Sequence, residues 1–234
     1  TSITNIVRTE TTETLNADSY RELVDGPILF SLPDTTQFFI GETEILIAVF
    51  NAMPGQNFPY ANYIKEVLEP QLEAMGEYFG GVLPVKKYAF LVYFESYDND
   101  NMLADALEHN RSSLYLYAGR GMGKIAGLIQ AISAHEVLHI VTPLNIHSEK
   151  IAQYNFLDFT SSKHLWLYEG MTEYTRMHIA VKQKLVDFPG FLQEITDKYR
   201  DMQQFDTNLS LTDLSANALS RQDQYYNVYL KGAL

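Results

Sequence analysis

The feature that most constrains the fold is a long helical pattern between residues 125 and 143. Apolar residues recur there on one stripe at helical spacing, and Pro143 marks the point where the helix must stop. Within this pattern stands the sequence His135-Glu136-Val137-Leu138-His139. A spacing of four residues puts both imidazoles on one face of a helix, about one turn apart. The chain must therefore fold so that one helix presents two histidines and a carboxylate to a common point.

This motif is typical of a hydrolytic zinc site, in which both histidines bind one ion and the glutamate points toward a bound water. Zinc in such sites takes three protein ligands and keeps a fourth position open. The alternative is a helix that contains these residues by coincidence, which is rare in a chain with only 6 histidines. A third ligand decides between the two interpretations.

Glu169 is the predicted third ligand. It lies in the segment Leu165–Tyr174, where a bulky apolar stripe predicts a helix, and Gly170 directly after it permits close approach of another group. Glu173, one turn further on, is predicted to stand behind the ligands rather than among them. The downstream candidates are His147, Glu149, Asp158, His164, Glu169 and Glu173. The remaining histidines, His109 and His178, are interpreted as structural or surface residues.

The composition of the chain limits the classes of partner and of metal ligand that it can use. The chain has 234 residues, 46% of them hydrophobic, and a net charge of −12. A negative net charge repels the phosphate backbone of nucleic acids, and the sequence has no run of basic residues that would offset it. We therefore expect no nucleic-acid partner. The absence of cysteine leaves only histidine and carboxylates as ligands for a transition metal. No stretch approaches the roughly eighteen apolar residues of a membrane span, and none is expected.

Periodicity predicts the secondary structure in outline. The first twenty residues are interpreted as an extended or a loose lead-in, and residues 97–101 as a polar loop. The sequence Gly119–Lys124 invites comparison with a phosphate-binding loop, but it lacks the first glycine and the final Ser or Thr, so its glycines are interpreted as a sharp turn. Strands are predicted at residues 27–30, 38–40, 45–50, 88–94 and 113–117. Further helices are predicted at 60–79, with a kink or an interruption at Pro70, from His164 to Lys184, and from Pro189 to Phe205.

The two main motifs together resemble the gluzincin metallopeptidases. In that group the third zinc ligand is the Glu of a Trp-x-x-Glu-Gly-x-Thr/Ala motif on the next helix, as in Leu165–Tyr174 here, about thirty residues after His139. The segments Ala106–His109 and Tyr229–Leu234 add a more specific likeness to the glycyl aminopeptidase family, metallopeptidase family 61. The likeness begins at about Glu22.

The resemblance implies a role for several residues. Glu136 would be the general base, and His135, His139 and Glu169 the ligands of one zinc ion. Tyr229 would hydrogen-bond the developing oxyanion, although Tyr225 and Tyr226 are alternatives. Glu108 would bind the free α-amine of a substrate; a surface glutamate at a strand end is the alternative. The implied substrate-binding residues are Ala106, Leu107, Glu108 and Ser113, with Ser113–Tyr117 as the edge strand along which an extended peptide pairs.

The resemblance also implies a fold class and a domain organisation. We expect an α+β, thermolysin-like zincin catalytic domain, in which a small mixed sheet has its edge strand over the cleft and a helical lobe follows. Residues 1–55 are expected to end a β-rich N-terminal region, and residues 56–234 to form the catalytic domain, truncated at its C-terminal end.

The function implied is zinc-dependent hydrolysis of peptides with a free N-terminus by an aminopeptidase. A preference for N-terminal glycine is implied by the family alone. The alternative is a non-catalytic relative that keeps the fold and the metal and binds peptides or acts as a scaffold. Relatives of this type are often exported bacterial proteins, but a cytoplasmic location and the oligomeric state stay open.

Overall fold

The computed structural model describes residues 1, 3, 5–51, 58–95, 103–118, 125–158 and 161–234. Within these ranges the chain forms two compact units, Thr1–Val137 and Leu138–Leu234. The sequence Gly119–Lys124 and the predicted polar loop at residues 97–101 lie outside the described residues. Among the helices that are described, none is both long enough and apolar enough to span a membrane.

The first unit is built on a five-stranded mixed sheet with the strand order β3-β4-β5-β7-β6. β4 and β7 run parallel to the central β5, whereas the outer strands β3 and β6 run antiparallel to their neighbours. Gly41, with φ of 56°, allows the tight turn between β3 and β4. The strands are β3 (Asp34–Ile40), β4 (Thr43–Asn51), β5 (Lys87–Glu95), β6 (Leu103–His109) and β7 (Ser112–Ala118).

One prediction about this sheet is wrong. The segment Ser113–Tyr117 was expected at the edge, but it lies inside the sheet, between β5 and β6. The reason is a hairpin: at Arg111, whose φ is 60°, the chain turns so tightly that Leu103–His109 pairs with β7 and becomes the edge strand. That strand was not predicted because alanine, aspartate and glutamate give it little β propensity.

Alternating side chains along the strands pack on opposite faces of the sheet. On one face Phe94 contacts Tyr60 of α2 (Tyr60–Tyr78), with ring centroids 5.0 Å apart, and Tyr117 of β7, at 5.5 Å. On the other face a smaller cluster of Ala48, Ala89 and Leu91 is buried. β5 therefore forms the centre of the core, and α2 and the following helix lie on its aromatic face.

The helix predicted at residues 60–79 is confirmed, and it continues through Pro70. Its buried apolar residues recur at helical spacing, which is the pattern that predicted it. Gly80 and Gly81, with φ of 91° and 103°, follow its end. The last helix of the unit is α3 (Ile125–Leu138), which ends one residue before His139.

The N-terminal segment is more ordered than the sequence suggested. Instead of a loose lead-in, β1 (Asn5–Arg8) and β2 (Glu13–Asn16) form an antiparallel pair, and α1 (Tyr20–Val24) follows with Ser19 as its N-cap. The strand predicted at residues 27–30 is absent, and Leu29 packs against the small cluster on the sheet. The predicted boundary near residue 55 stays a prediction about domain organisation; β4 and β5, on its two sides, pair in one sheet.

The second unit is helical. The helix predicted from His164 to Lys184 is present in part: it begins with a π-helical turn and continues as α5. The helix predicted from Pro189 begins at Phe188, with Asp187 as its N-cap, whereas the two last α-helices were not predicted. The elements are α4 (Glu149–Ala152), the π-helical turn (Leu167–Met171), α5 (Thr172–Lys182), α6 (Phe188–Met202), α7 (Leu211–Ala216), a 3₁₀ turn (Gln222–Gln224) and α8 (Asn227–Gly232).

Candidate metal centre

The motif residues lie at the end of α3 and directly after it, on one continuous piece of chain. His135, Glu136 and His139 are all buried, with relative exposures of 8%, 8% and 4%. One ligand atom from each of the three residues lies within 4.8 Å of the other two. Buried ionisable side chains are unusual unless they are paired or bind a metal. The helical spacing thus brings these groups together as the sequence predicted.

The hydrogen bonding of His139 prepares one of its nitrogens for a metal. Its Nδ1 lies 2.7 Å from the main-chain carbonyl oxygen of Thr142. A carbonyl oxygen can only accept, so Nδ1 carries the proton and donates it. The lone pair is then on Nε2, the nitrogen that turns toward Glu169. Metal-binding histidines are commonly oriented by a bond of this kind.

Glu169 occupies the middle of the π-helical turn and is buried, with 7% exposure. Its Oε2 lies 3.7 Å from Nε2 of His139. Two ligands at tetrahedral zinc, each about 2.1 Å from the metal, are separated by about 3.4 Å. The nitrogen and the oxygen therefore have the spacing of two ligands of one ion. π-helical turns inside α-helices are frequent at functional sites, where the extra residue re-aims a side chain.

The other candidates for the third ligand fit less well, since Glu169 alone among the six is buried. Glu173 is held by two cations: Arg176 donates to it from two nitrogens, at 2.6 and 3.1 Å, and Lys198 donates at 2.6 Å. Arg176 also pairs with Glu194 of α6. Glu173 thus joins α5 to α6. The exposed candidates are His147, Glu149, Asp158 and His164.

A chain of hydroxyl groups links the surroundings of His139 and Glu169. Thr172, the first residue of α5, donates to the carbonyl oxygen of Tyr168 at 2.5 Å. Its single proton is used there, so Thr142 is the donor in the 3.0 Å bond between the two threonine hydroxyls. The same Thr142 supplies the carbonyl that orients His139. Sequence reasoning missed this link, because neither threonine belongs to a ligand pattern.

A tyrosine network in the first unit supports the end of α3. The Tyr88 hydroxyl lies 3.2 Å from the carbonyl oxygen of Glu136, to which it donates, and 3.0 Å from Ser113 Oγ. The Tyr115 hydroxyl lies 2.6 Å from the same Ser113 oxygen. Carbonyl groups in the last turn of a helix have no partner within the helix, so Tyr88 satisfies one of them. Burial raises the pKa of Tyr88 and of Tyr115 well above the usual value, which keeps both hydroxyls protonated as donors.

Tyr117 continues this row of buried tyrosines on β7. Burial, and then the charge of Glu136, raise the pKa of its hydroxyl. The hydroxyl has no hydrogen-bond partner among the residues that the structure describes. The alternation of Ser113, Tyr115 and Tyr117 was visible in the sequence as one face of a strand. That these side chains lie beside the Glu136 end of α3 was not, because the contact joins distant parts of the chain.

Glu108 lies on the edge strand β6 and is partly buried. It pairs with Ser113 across the hairpin, so it shares a sheet face with the tyrosine network, and its charge contributes to the raised pKa of Tyr88 after burial and Glu136. The neighbouring turn is tied to the N-terminal segment, where Arg111 pairs with Glu22. Glu108 therefore lies next to the end of a braced strand and is partly buried, and both interpretations of it stay open.

The other predicted substrate residues lie on the same hairpin. Ala106 shares the face of Glu108, whereas Leu107 points to the opposite face and is 54% exposed. Ser113 has no exposed surface, and its hydroxyl is used by Tyr88 and Tyr115. Ser113 thus takes part in the support of α3, and its role in substrate binding stays a prediction.

Tyr229 lies on α8 and is partly buried, in contrast to Tyr226, which is 57% exposed. The Tyr229 ring stacks on Tyr226 and meets Tyr225 edge to face, both with centroids 5.8 Å apart. The hydroxyls of Tyr225 and Tyr229 are 3.4 Å apart. α8 packs against the π-helical turn of Glu169 in the same unit. The structure therefore brings the Tyr229 helix next to the turn of the predicted third ligand.

Comparisons with known proteins found similarity to one protein family and to solved structures. Residues 129–234 match the family model of M61 glycyl aminopeptidase. Among solved structures, the chain is similar to an aminopeptidase N family protein from Idiomarina loihiensis, with a TM-score of 0.66 and 19% sequence identity. The match covers 85% of this chain and 35% of that protein, so the chain spans about a third of its length. No curated protein sequence matches this chain.

The structural likeness, at this identity, concerns the fold. It confirms the predicted α+β class, here a five-stranded mixed sheet followed by helices, in the arrangement of an aminopeptidase-type fold. The family match concerns the segment that contains the end of α3, Glu169 and Tyr229. Residues 129–234 are thus similar to a family of peptidases, the M61 glycyl aminopeptidases.

Proposed function

We propose that this protein is a zinc-dependent aminopeptidase in which His135, His139 and Glu169 hold one zinc ion. The observation that carries the proposal is the buried approach of His139 Nε2 to Glu169 Oε2, at 3.7 Å, with Nδ1 of the same imidazole already committed to a carbonyl. Two nitrogens and one carboxylate oxygen are a donor set that suits catalytic zinc. A zinc ion in such a site lowers the pKa of a bound water and polarises a substrate carbonyl.

Glu136 is the general base in this proposal. It follows His135 directly and is buried beside it, so its carboxylate lies within reach of a water at the centre. The carboxylate removes a proton from the attacking water and delivers it to the departing amine nitrogen. The bond from Tyr88 to the carbonyl of Glu136 fixes the turn of helix that carries this carboxylate.

Glu108 and β6 provide the aminopeptidase character. A carboxylate is the physical counterpart of a substrate ammonium, and a charge-assisted hydrogen bond between them fixes the N-terminal residue. Because β6 and not β7 lies at the edge of the sheet, we expect an extended peptide to pair with Leu103–His109 instead of Ser113–Tyr117. Tyr229 donates a hydrogen bond to the oxyanion that forms on the scissile carbonyl.

The test is hydrolysis by the full chain after removal of metal and reconstitution with zinc. We expect about one zinc per chain, cleavage of aminoacyl 4-nitroanilides, and no cleavage of the same compounds with an acetylated N-terminus. Glu136→Gln is the matched control: it should bind zinc normally and lose about a hundred- to ten-thousandfold in kcat. Zinc binding without hydrolysis of any substrate would instead indicate a non-catalytic peptide-binding protein.

Glu108→Gln separates an aminopeptidase from an endopeptidase. If Glu108 binds the substrate amine, its neutralisation raises KM for free N-termini by about ten- to hundredfold, while zinc affinity is unchanged. Asp105→Asn, an exposed carboxylate on the same strand, is the control. Equal loss of activity on an acetylated peptide cleaved internally would remove the α-amine role and leave an endopeptidase.

A further inference from the structure

Two glycines of the second unit meet through their backbones. Gly170 directly follows Glu169, and Gly232 lies three residues after Tyr229. A Cβ atom added at Gly170 would lie 2.3 Å from the Cα of Gly232 and 2.4 Å from its carbonyl carbon. A Cβ added at Gly232 would lie 2.8 Å from the Cα of Gly170 and 3.0 Å from the carbonyl oxygen of Trp166. Because these neighbours are main-chain atoms, neither side can make room by changing a rotamer.

We infer that this glycine contact positions Glu169 and Tyr229 relative to each other, so that α8 is a structural part of the metal centre. The inference rests on the proposed function and adds two positioning residues to it. The contact joins the peptide next to the proposed ligand to the last turn of the helix that carries the proposed oxyanion donor. With no side chain between them, the spacing of the two elements is set by the main chain alone.

α8 is fixed on its other sides as well. Val228 and Leu230 have no more than 1% exposure, and Asn227 has none. The Lys231 ammonium donates to the carbonyl oxygens of Thr207 and Leu209, at 2.7 and 2.6 Å. Successive residues of α8 therefore make different contacts: Leu230 is buried in the core, Lys231 bonds to the preceding loop, and Gly232 contacts the turn of Glu169.

The π-helical turn is the less regular of the two partners. A π turn is less favourable than an α-helical one and persists where its surroundings hold it. Here the surroundings are the bond from Thr172 to the Tyr168 carbonyl on one side and Gly232 on the other. An atom added at Gly232 must therefore displace the turn, α8, or both, and each displacement moves a residue of the centre.

The test compares alanine at three glycines. Gly170→Ala and Gly232→Ala each add one methyl group to the contact. Gly127→Ala adds the same group on an exposed part of α3, where no described residue outside the local helix lies within 4 Å of the new atom. Each variant is stripped of metal and reconstituted with zinc, and its zinc affinity is measured by competition with a chelator. We expect this affinity to fall at least about tenfold in the first two variants. The zinc affinity of the control should stay within about twofold of wild type. The double variant should bind zinc no more weakly than the single variant of lower affinity, because both substitutions disturb one contact.

A second readout addresses Tyr229. In wild type, Tyr229→Phe should lower kcat about a hundredfold with little change in KM, but in Gly232→Ala the same change should add less than about threefold, because the hydroxyl is already displaced. If Gly232→Ala does not fold, Lys231→Met loosens α8 without adding atoms to the contact. It should lower kcat and zinc affinity together, each by about tenfold.

The outcomes separate the inference from the function on which it rests. Wild-type affinity for zinc in folded Gly232→Ala, or in Lys231→Met where the alanine variant does not fold, contradicts the inference alone. So do fully additive effects of Gly232→Ala and Tyr229→Phe on kcat. A wild-type chain that binds no zinc contradicts the proposed function and, with it, this inference.

Discussion

The two supports of the candidate metal centre are built in different ways. The end of α3 in the first unit is supported by side chains: Tyr88 donates to the Glu136 carbonyl, and Ser113 and Tyr115 extend the network. The turn of Glu169 in the second unit is supported by a backbone contact between two glycines. Single atoms can be deleted from the first support, whereas the glycine contact in the second has no side chain to delete. The Thr172 hydroxyl, which also holds this turn, is tested separately below. Truncation therefore probes α3, and addition of a methyl group probes the turn.

The largest expected effect is on zinc binding, and it distinguishes Glu169, the proposed ligand, from Glu173, its neighbour on the helix. Glu169→Ala removes a proposed ligand and should weaken zinc binding by more than about a hundredfold, beyond the range typical of outer residues. Glu173→Ala, one helical turn away, should keep zinc binding, but it leaves Arg176 with only Glu194 and costs about 3 kcal/mol of unfolding free energy. The measurements are zinc competition and urea unfolding. If both variants lose zinc equally, the distinction between the two glutamates fails.

A smaller effect is expected when one oxygen is removed from the first support. Tyr88→Phe deletes the donor to the Glu136 carbonyl, and we expect a loss of about 1–3 kcal/mol in unfolding free energy and about tenfold in zinc affinity. Tyr115→Phe is the matched control, because it shortens the network but keeps the bond to α3. It should leave zinc affinity within about twofold. An unchanged affinity in Tyr88→Phe would mean that α3 holds its position without this network.

The smallest effect is expected for the hydroxyl chain of the second unit. Thr172→Val removes the bond to Tyr168 and leaves Thr142 without its acceptor, at a cost of about 1–2 kcal/mol in thermal or urea unfolding. His139 should stay oriented, since its partner is the main chain of Thr142. Thr196→Val, whose hydroxyl donates to the Leu192 carbonyl within α6, is the control and should cost under about 0.5 kcal/mol. A loss of zinc in Thr172→Val would show that the threonines orient the ligand more strongly than the carbonyl does.

The sequence was informative wherever a residue's position follows from local geometry. The spacing of His135 and His139 on a helix determines their mutual placement without knowledge of the rest of the fold. Glu169 was predicted as the third ligand because a carboxylate on an apolar helix stands beside Gly170, a residue that permits close approach. The structure buries Glu169, and its role as a ligand stays a prediction. Glu173 forms an ion pair with Arg176, three residues further along the same helix, and this contact also follows from helical spacing.

The non-local features could not be derived in this way. The turn at Arg111 makes β6 an edge strand although its composition has little β propensity, so the predicted edge at Ser113–Tyr117 was wrong. The partner of Gly170 is sixty-two residues away, in a helix of 6 residues that is too short to show a period. The π-helical form of the Glu169 turn was likewise not predicted from the sequence.

The central claim is that this chain holds one zinc ion through two imidazoles and a carboxylate. X-ray absorption at the zinc edge of the reconstituted protein tests it most directly. We expect two imidazole nitrogens and one or two carboxylate oxygens at about 2.0–2.2 Å. One imidazole should be lost in His139→Ala and the carboxylate in Glu169→Ala. A first shell without imidazole, or one that Glu169→Ala leaves unchanged, would contradict it.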